Sequence, residues 1–162
     1  KNNLSFFNHL NADHYSALLY FISNNAYKIN DVTISSKFFL LNKFMFGVDV
    51  FYKVELPSHF IFVHPLGTIL GNAKYEDFLV VYQNVTVGST TDGFYPNFSK
   101  QTILYSNSSV IGKSKIGENF ILAANSSLIN KNIGKNKIVK GAYPNNSISN
   151  NKKSIIKNYF DI

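Results

Sequence analysis

Between Leu104 and Ile129 a large aliphatic residue returns at every sixth position: Leu104, Val110, Ile116, Leu122 and Leu128 keep the count without a miss. Four residues after each of the first four stand Ser108, Ser114, Phe120 and Ser126, mostly small. The same beat runs upstream through Ile69, Tyr75, Val81 and Val87, with Ala73, Leu79 and Val85 at the fourth offset. Gly71, Gly112 and Gly117 fall at or near the turns between these units. A period of six fits neither the 3.6-residue turn of a helix nor the alternation of a strand, so it is a repeat.

Hexapeptide repeats build parallel β-helices. Each hexad supplies one short strand and one tight corner, and three make a triangular coil of about eighteen residues. Coils then stack at the ~4.8 Å spacing of hydrogen-bonded strands. The aliphatic residue points into the prism against its equivalents above and below, and small residues suit the narrow corners. One hexad cannot bury its apolar side alone, whereas a stack can. The pattern therefore predicts a mainly β chain, with a β-helix over residues 49–147.

Composition narrows the chemistry. The chain has 162 residues, 45% of them apolar, enough for one domain with a real core. It contains no cysteine, which excludes a disulfide framework, a thiolate metal site and a thiol nucleophile. No apolar run approaches the ~20 residues of a membrane span, and no secretory leader is visible, so a cytoplasmic location is expected. The net charge is +7 and every strong cation is a lysine. Without arginine, one chain cannot form a bidentate guanidinium clamp on a carboxylate or phosphate. The lysines are scattered and match no nucleic-acid motif, so no nucleic-acid partner is expected.

Residues 1–48 leave the six-residue beat. Ala12, Tyr15, Leu18, Leu19, Ile22 and Ala26 recur at helical spacing, with Asn11 or Asp13 able to cap the start. Ile34, Phe38, Leu41 and Met45 predict a second amphipathic helix ended by Gly47. The repeat is interrupted over residues 88–101, and a loop projecting from a solenoid is where function concentrates. Residues 148–162 read as a tail with a short basic helix or a frayed end.

Of the four histidines, His9 and His14 fall in the helical region and are expected to face solvent, while His59 lies in an irregular strand. His64 stands in Val-His-Pro-Leu-Gly just before the first regular coil. Taken alone it reads slightly better as a buried or edge histidine with no task. Asp49 lies fifteen residues earlier, close to one coil, so it is expected beside His64 in the adjacent layer. A carboxylate that holds an imidazole is a general-base arrangement; Asp49 is otherwise a turn residue after Gly47. The excursion loop is expected to fold back over this region. Only His59 and His64 lie in the coil region, too few for a three-histidine metal site, so no metal is expected.

His64-Pro-Leu-Gly67, Gln83-Asn-Val-Thr-Val-Gly88, Tyr95-Pro96, Ser106-Asn-Ser-Ser-Val-Ile-Gly112 and Lys140-Gly141 resemble, in order, the hexapeptide-repeat acyltransferases, specifically the serine acetyltransferase branch. The resemblance covers residues 49 to about 144. It implies a left-handed parallel β-helix with a short N-terminal helical segment, assembled as a homotrimer with active sites between subunits. It further implies that His64 is the general base, that Asp49 orients it, and that acetyl-CoA is the cosubstrate. The coenzyme would run along the later coils by Gly88, Ser106, Ala124 and Lys140.

The acceptor end departs from that branch. Val63 stands where an aspartate precedes the base, and Gly93-Phe94-Tyr95-Pro96 replaces Asp-Arg-His-Pro in the loop. Burying a zwitterion against Val63 and Phe94 would leave charges unpaired. The expected acceptor is therefore a hydroxyl of a sugar or polysaccharide precursor bound at Val63, Phe94 and Tyr95, as in similar short O-acetyltransferases of polysaccharide clusters. Serine O-acetylation in cysteine biosynthesis and a non-catalytic β-helical assembly protein are the alternatives.

Overall fold

The computed structural model describes residues 7–160. Two helices come first, α1 (Ala12–Lys28) and α2 (Val32–Phe46). The Asn11 side chain accepts the Asp13 and His14 N–H groups and so caps α1, and Asp31 does the same for α2. Gly47, in the left-handed region at φ 64°, ends α2. The chain then enters the coils.

Short strands follow in threes. The first coil is β1 (Phe60–Val63), β2 (Ile69–Leu70) and β3 (Lys74–Tyr75). The second is β4 (Leu79–Tyr82), β5 (Thr86–Gly88) and β6 (Asn97–Phe98). The third is β7 (Thr102–Leu104), β8 (Ser109–Ile111) and β9 (Lys115–Ile116), and the fourth β10 (Phe120–Leu122), β11 (Ser127–Ile129) and β12 (Asn132–Ile133). Equivalent strands pair in parallel to give three faces: β1-β4-β7-β10, β2-β5-β8-β11 and β3-β6-β9-β12. The stack is a left-handed β-solenoid of about four turns. β13 (Lys137–Lys140) extends the first face, and β14 (Ser147–Asn150) closes it by pairing antiparallel.

The register is eighteen residues at Asn97↔Lys115, Thr102↔Phe120 and Ser109↔Ser127, and shortens to seventeen at Lys115↔Asn132 and Phe120↔Lys137. Leu104, Val110, Ile116, Leu122 and Leu128 all point inward and are buried. Ser108, Ser114 and Ser126 are buried at the corners. At many corners the residue is asparagine in the left-handed region, among them Asn84, Asn107, Asn119, Asn125 and Asn136. Asparagine tolerates that conformation better than other side chains with a Cβ.

Three expectations need correction. Ile69 faces outward and is 45% exposed, because the inward residue of β2 is Leu70, only five positions before buried Tyr75. The excursion is shorter than 88–101: Gly88 ends β5 and Asn97 starts β6, which leaves residues 89–96 outside the coil. The apolar face read on α2 is not its buried face. α2 buries Ser35 and Asn42 and leaves Leu40, Leu41, Phe44 and Met45 exposed.

At the other end, α3 (Ile155–Tyr159) folds back on the first face. Ile155 packs on Val80 and Ile103, and the Tyr159 hydroxyl meets those of Tyr82 at 3.0 Å and Tyr105 at 3.1 Å. Burial and these two bonds push the Tyr159 phenol well above its ordinary value. Among the described residues, no helix is long and apolar enough to cross a membrane.

Candidate functional site

His64 sits at the corner between the first and second faces, and the register explains its prominence. Phe60 pairs with Leu79, nineteen residues on, whereas Ile69 pairs with Thr86, only seventeen on. The lowest corner is thus two residues longer than the one above it. The extra length bulges outward and leaves the His64 side chain 79% exposed. His64 itself lies in the left-handed region at φ 49°. Its carbonyl accepts the Leu66 N–H at 2.7 Å, the Pro65 carbonyl accepts from Thr68 at 3.1 Å, and the Thr68 hydroxyl donates to Tyr82 O at 3.0 Å. Gly67 completes the corner at φ 71°, where a Cβ would strike the Asn84 side chain.

Asp49 does lie one layer below the second face. It pairs with Ile69, its N–H donates to Thr68 O at 2.9 Å, and its carbonyl accepts from Leu70 at 3.0 Å. Its carboxylate, however, binds Lys43 Nζ at 2.7 Å. Among the described residues no hydrogen bond or ion pair joins Asp49 to His64. The carboxylate that reaches His64 is Asp13, from the first turn of α1. Its Oδ1 accepts the His64 N–H at 2.9 Å and lies 4.0 Å from the ring Nδ1. The expected Asp49–His64 pairing is therefore corrected within one chain: Lys43 holds Asp49, and α1 delivers Asp13 instead. The sequence carried one hint of this, an acid in the first turn of α1 with Asn11 already free to cap.

Two neighbouring hollows result. One, of about 250 Å³, is lined by Asp13, Met45, Phe46, His64, Pro65 and Leu66. The other, about 360 Å³, includes Asp49, Phe51, Lys53, Ile69, Gly71 and Tyr95. Tyr95 reaches the second from the excursion loop and lies against Gly71, where a Cβ would come within 2.6 Å of its ring. The loop does not fold back over His64. It leaves the prism at the far corner of the second face, with Thr90 against Gly112 and the Lys113 ammonium 5.1 Å from the Phe94 ring. Residues 89–96 carry six more positions than the matching corner below, since Thr86 to Asn97 is eleven and Ile69 to Lys74 is five. Phe94 is 50% and Tyr95 38% exposed.

The remaining predicted residues divide between the two corners. Val63, half-buried, ends β1 immediately before His64. Ser106 and Ala124 lie at the same corner two and three coils above, and Lys140 ends β13 at its top. These accessible positions form a ridge rising from His64. Gly88 is not on that ridge; it ends β5 at the opposite side of the second face, with its carbonyl bonded to the Gly112 N–H.

His9 is exposed, while the other two histidines have structural neighbours. His14 accepts the Asn8 N–H, and the His59 N–H and ring both contact Asp77 Oδ1, at 3.1 and 3.2 Å. Burial acts to raise the Asp77 carboxyl, but the His59 contacts and Lys100 outweigh it and hold the group below 3.8.

No protein-family profile matches the chain. A Schizosaccharomyces pombe protein named "Putative serine acetyltransferase" is 30% identical over 101 residues, 60% of this chain and 37% of that protein. Serine acetyltransferase from Neisseria gonorrhoeae superposes with a TM-score of 0.79 at 18% identity, covering 88% of this chain and 57% of the other. The Brucella abortus serine acetyltransferase in complex with coenzyme A superposes with a TM-score of 0.78 at 18% identity, over 88% and 58%. The chain thus spans well under two thirds of the length of these relatives. In its repeat and its architecture it is a left-handed hexapeptide-repeat β-helix similar to the serine acetyltransferases.

Proposed function

We propose that the chain is an acetyl-CoA-dependent O-acetyltransferase with His64 as general base. The observation that carries this reading is the lengthened corner, which presents one imidazole to solvent at the foot of a ridge of accessible corner positions. The likeness to serine acetyltransferases, one of them in complex with coenzyme A, supports it. His64 takes the proton from an acceptor hydroxyl as that oxygen attacks the thioester carbonyl. The tetrahedral intermediate then collapses, the C–S bond breaks, and the imidazolium returns the proton to the departing coenzyme A thiolate. Pantetheine would follow Ser106 and Ala124, with Lys140 toward the phosphates.

The working unit is proposed to be a homotrimer. His64 and the ridge occupy one corner of the second face, while Gly88 and the Phe94–Tyr95 loop occupy the other. A site enclosing both sets takes them from two copies of the chain. A cytoplasmic location belongs to the same proposal.

For the acceptor, Val63, Phe94 and Tyr95 offer apolar and aromatic surface, and the chain has no guanidinium, which favours an uncharged sugar hydroxyl. A second reading, L-serine, has its own observation. The hollow beside Tyr95 is lined by Lys53 and by Asp49, the latter already paired with Lys43, so both signs of charge border it. The names of the relatives point the same way, and by that likeness L-serine has more support than a sugar. Coenzyme A release measured with L-serine and with a panel of nucleotide sugars separates the two. His64→Ala is expected to lower turnover by roughly 10²–10⁴-fold with the true acceptor. Unchanged turnover would remove the general-base assignment, and no transfer by the parent chain to any acceptor would favour a non-catalytic assembly role.

A further inference from the structure

We propose that Asp13 is a positioning residue for His64, acting from the first turn of α1 on the corner that carries the imidazole. The inference rests on the general-base reading above. It starts from an unusual backbone: His64 has a Cβ yet lies in the left-handed region, and such residues persist only where their surroundings hold them. The corner's own bonds fix the carbonyls of His64 and Pro65 and leave the His64 N–H to be satisfied from outside. Asp13 Oδ1 supplies that acceptor at 2.9 Å, across fifty-one residues of sequence.

The acceptor is itself fixed. The Asp13 N–H donates to the Asn11 side chain at 2.8 Å, its carbonyl accepts the Ser16 hydroxyl at 3.2 Å, and its side chain is only 24% exposed. The same Oδ1 stands 4.0 Å from the His64 Nδ1. That is too long for a hydrogen bond, but a carboxylate on this side of the ring favours the tautomer with its proton on Nδ1. Nε2 is then left as the free lone pair that a general base needs. The other charges around the corner do not compete for this task. Asp49 is bound to Lys43, His14 accepts from Asn8, and Met45, Phe46 and Leu66 are apolar. One carboxylate thus sets both the backbone and the ring of His64.

The test uses Asp13→Asn, which keeps an oxygen for the His64 N–H but loses the charge, and Asp13→Ala, which loses both. The first readout is the His64 tautomer in the substrate-free protein, from ring nitrogen–proton correlation spectra. The parent chain is expected to hold Nδ1–H, and both variants to move toward the Nε2–H form. The second readout is steady-state kinetics. Asp13→Ala should lower kcat on the order of 10²-fold, the cost of misplacing a reacting group, with the KM for acetyl-CoA little changed. Asp13→Asn should recover part of that loss. An unchanged tautomer in both folded variants would overturn the proposal, as would a change produced by Asp49→Asn and by neither Asp13 variant. Should Asp13→Ala fail to fold, the Asp13→Asn tautomer decides alone. Should the parent chain transfer no acetyl group, the enzymatic reading fails while the tautomer still tests the hold of Asp13 on His64.

Discussion

Inside the prism, Leu104, Val110, Leu122 and Leu128 stack with no exposed surface, whereas the helix pair beside it buries Ser16, Ser23, Ser35 and Asn42 alongside Leu19, Tyr20 and Ala26. The two regions are held by different physics. The prism gains from apolar burial, which is non-directional and repeats with every coil. The helical seam adds directional bonds to its apolar contacts: the Ser23 hydroxyl to Ser35 O at 2.7 Å, Asn42 Nδ2 to Ser16 O at 2.9 Å, and Asn24 Nδ2 to Tyr52 O at 2.9 Å. Tyr20 joins the helices to the coil region by donating to Val54 O and accepting from the Leu56 N–H, both at 2.9 Å. A greasy seam would let α1 slide, but these bonds fix its orientation. That precision is what brings Asp13 to His64.

The contrast can be broken by one substitution on each side. Leu104→Ala removes a fully buried side chain from a closed stack and should cost about 2–5 kcal/mol, measured by chemical denaturation. A loss under about 1 kcal/mol would mean that the coils collapse around vacancies and that the repeat is less strict than its register suggests. Tyr20→Phe keeps the ring and deletes only the hydroxyl, leaving the Leu56 N–H without its partner and Val54 O with only the longer Asn24 bond at 3.4 Å. The expected cost is smaller, roughly 1–3 kcal/mol. It should come with reduced amide-exchange protection in α1, because the seam is where the bond is lost. Protection lost equally throughout the prism would show that the helices and coils are one cooperative unit.

The same contrast explains how much was legible in the sequence. The prism could be read because its inward positions must be apolar at a fixed period, and Leu104 to Leu128 obey without exception. The reading slipped at Ile69 because the corner at Gly71–Ala73 is a residue short, which no count of six anticipates. It slipped again at Asn97, where Phe98 returns to the interior amid residues of loop character. The helices were visible from Asn11 and Gly47, since caps are local chemistry. The buried face of α2 was not, because it consists of Ser35 and Asn42, which periodicity arguments assign to solvent. His64 was legible from its neighbours in the chain. Asp13 was not, because its contact is set by the docking angle of α1, and nothing local records that angle.

The smallest expected effect separates neutral seam bonds from a charged clasp at the prism edge. Burial pushes the Tyr20 phenol up to about 12, against its Leu56 N–H bond, with Glu55 adding to the rise. A raised value means that its contribution is complete below the ordinary tyrosine value of 10.0 and lost only as pH rises through about 12. The Tyr20→Phe deficit should therefore be the same from acid to neutral pH. Asp77 behaves in the opposite way. Its carboxyl is held below 3.8, so its contribution is present above that value and disappears as pH falls through the lower folded one. With its side chain 38% exposed, solvent screening keeps the gain under about 1 kcal/mol. Asp77→Asn retains an oxygen for the His59 N–H but no charge, so it should trail the parent slightly at about pH 5 and match it at about pH 2. A deficit that persists unchanged in acid would show that Asp77, like Tyr20, acts through a neutral hydrogen bond, and the distinction between seam and edge would then rest on burial alone.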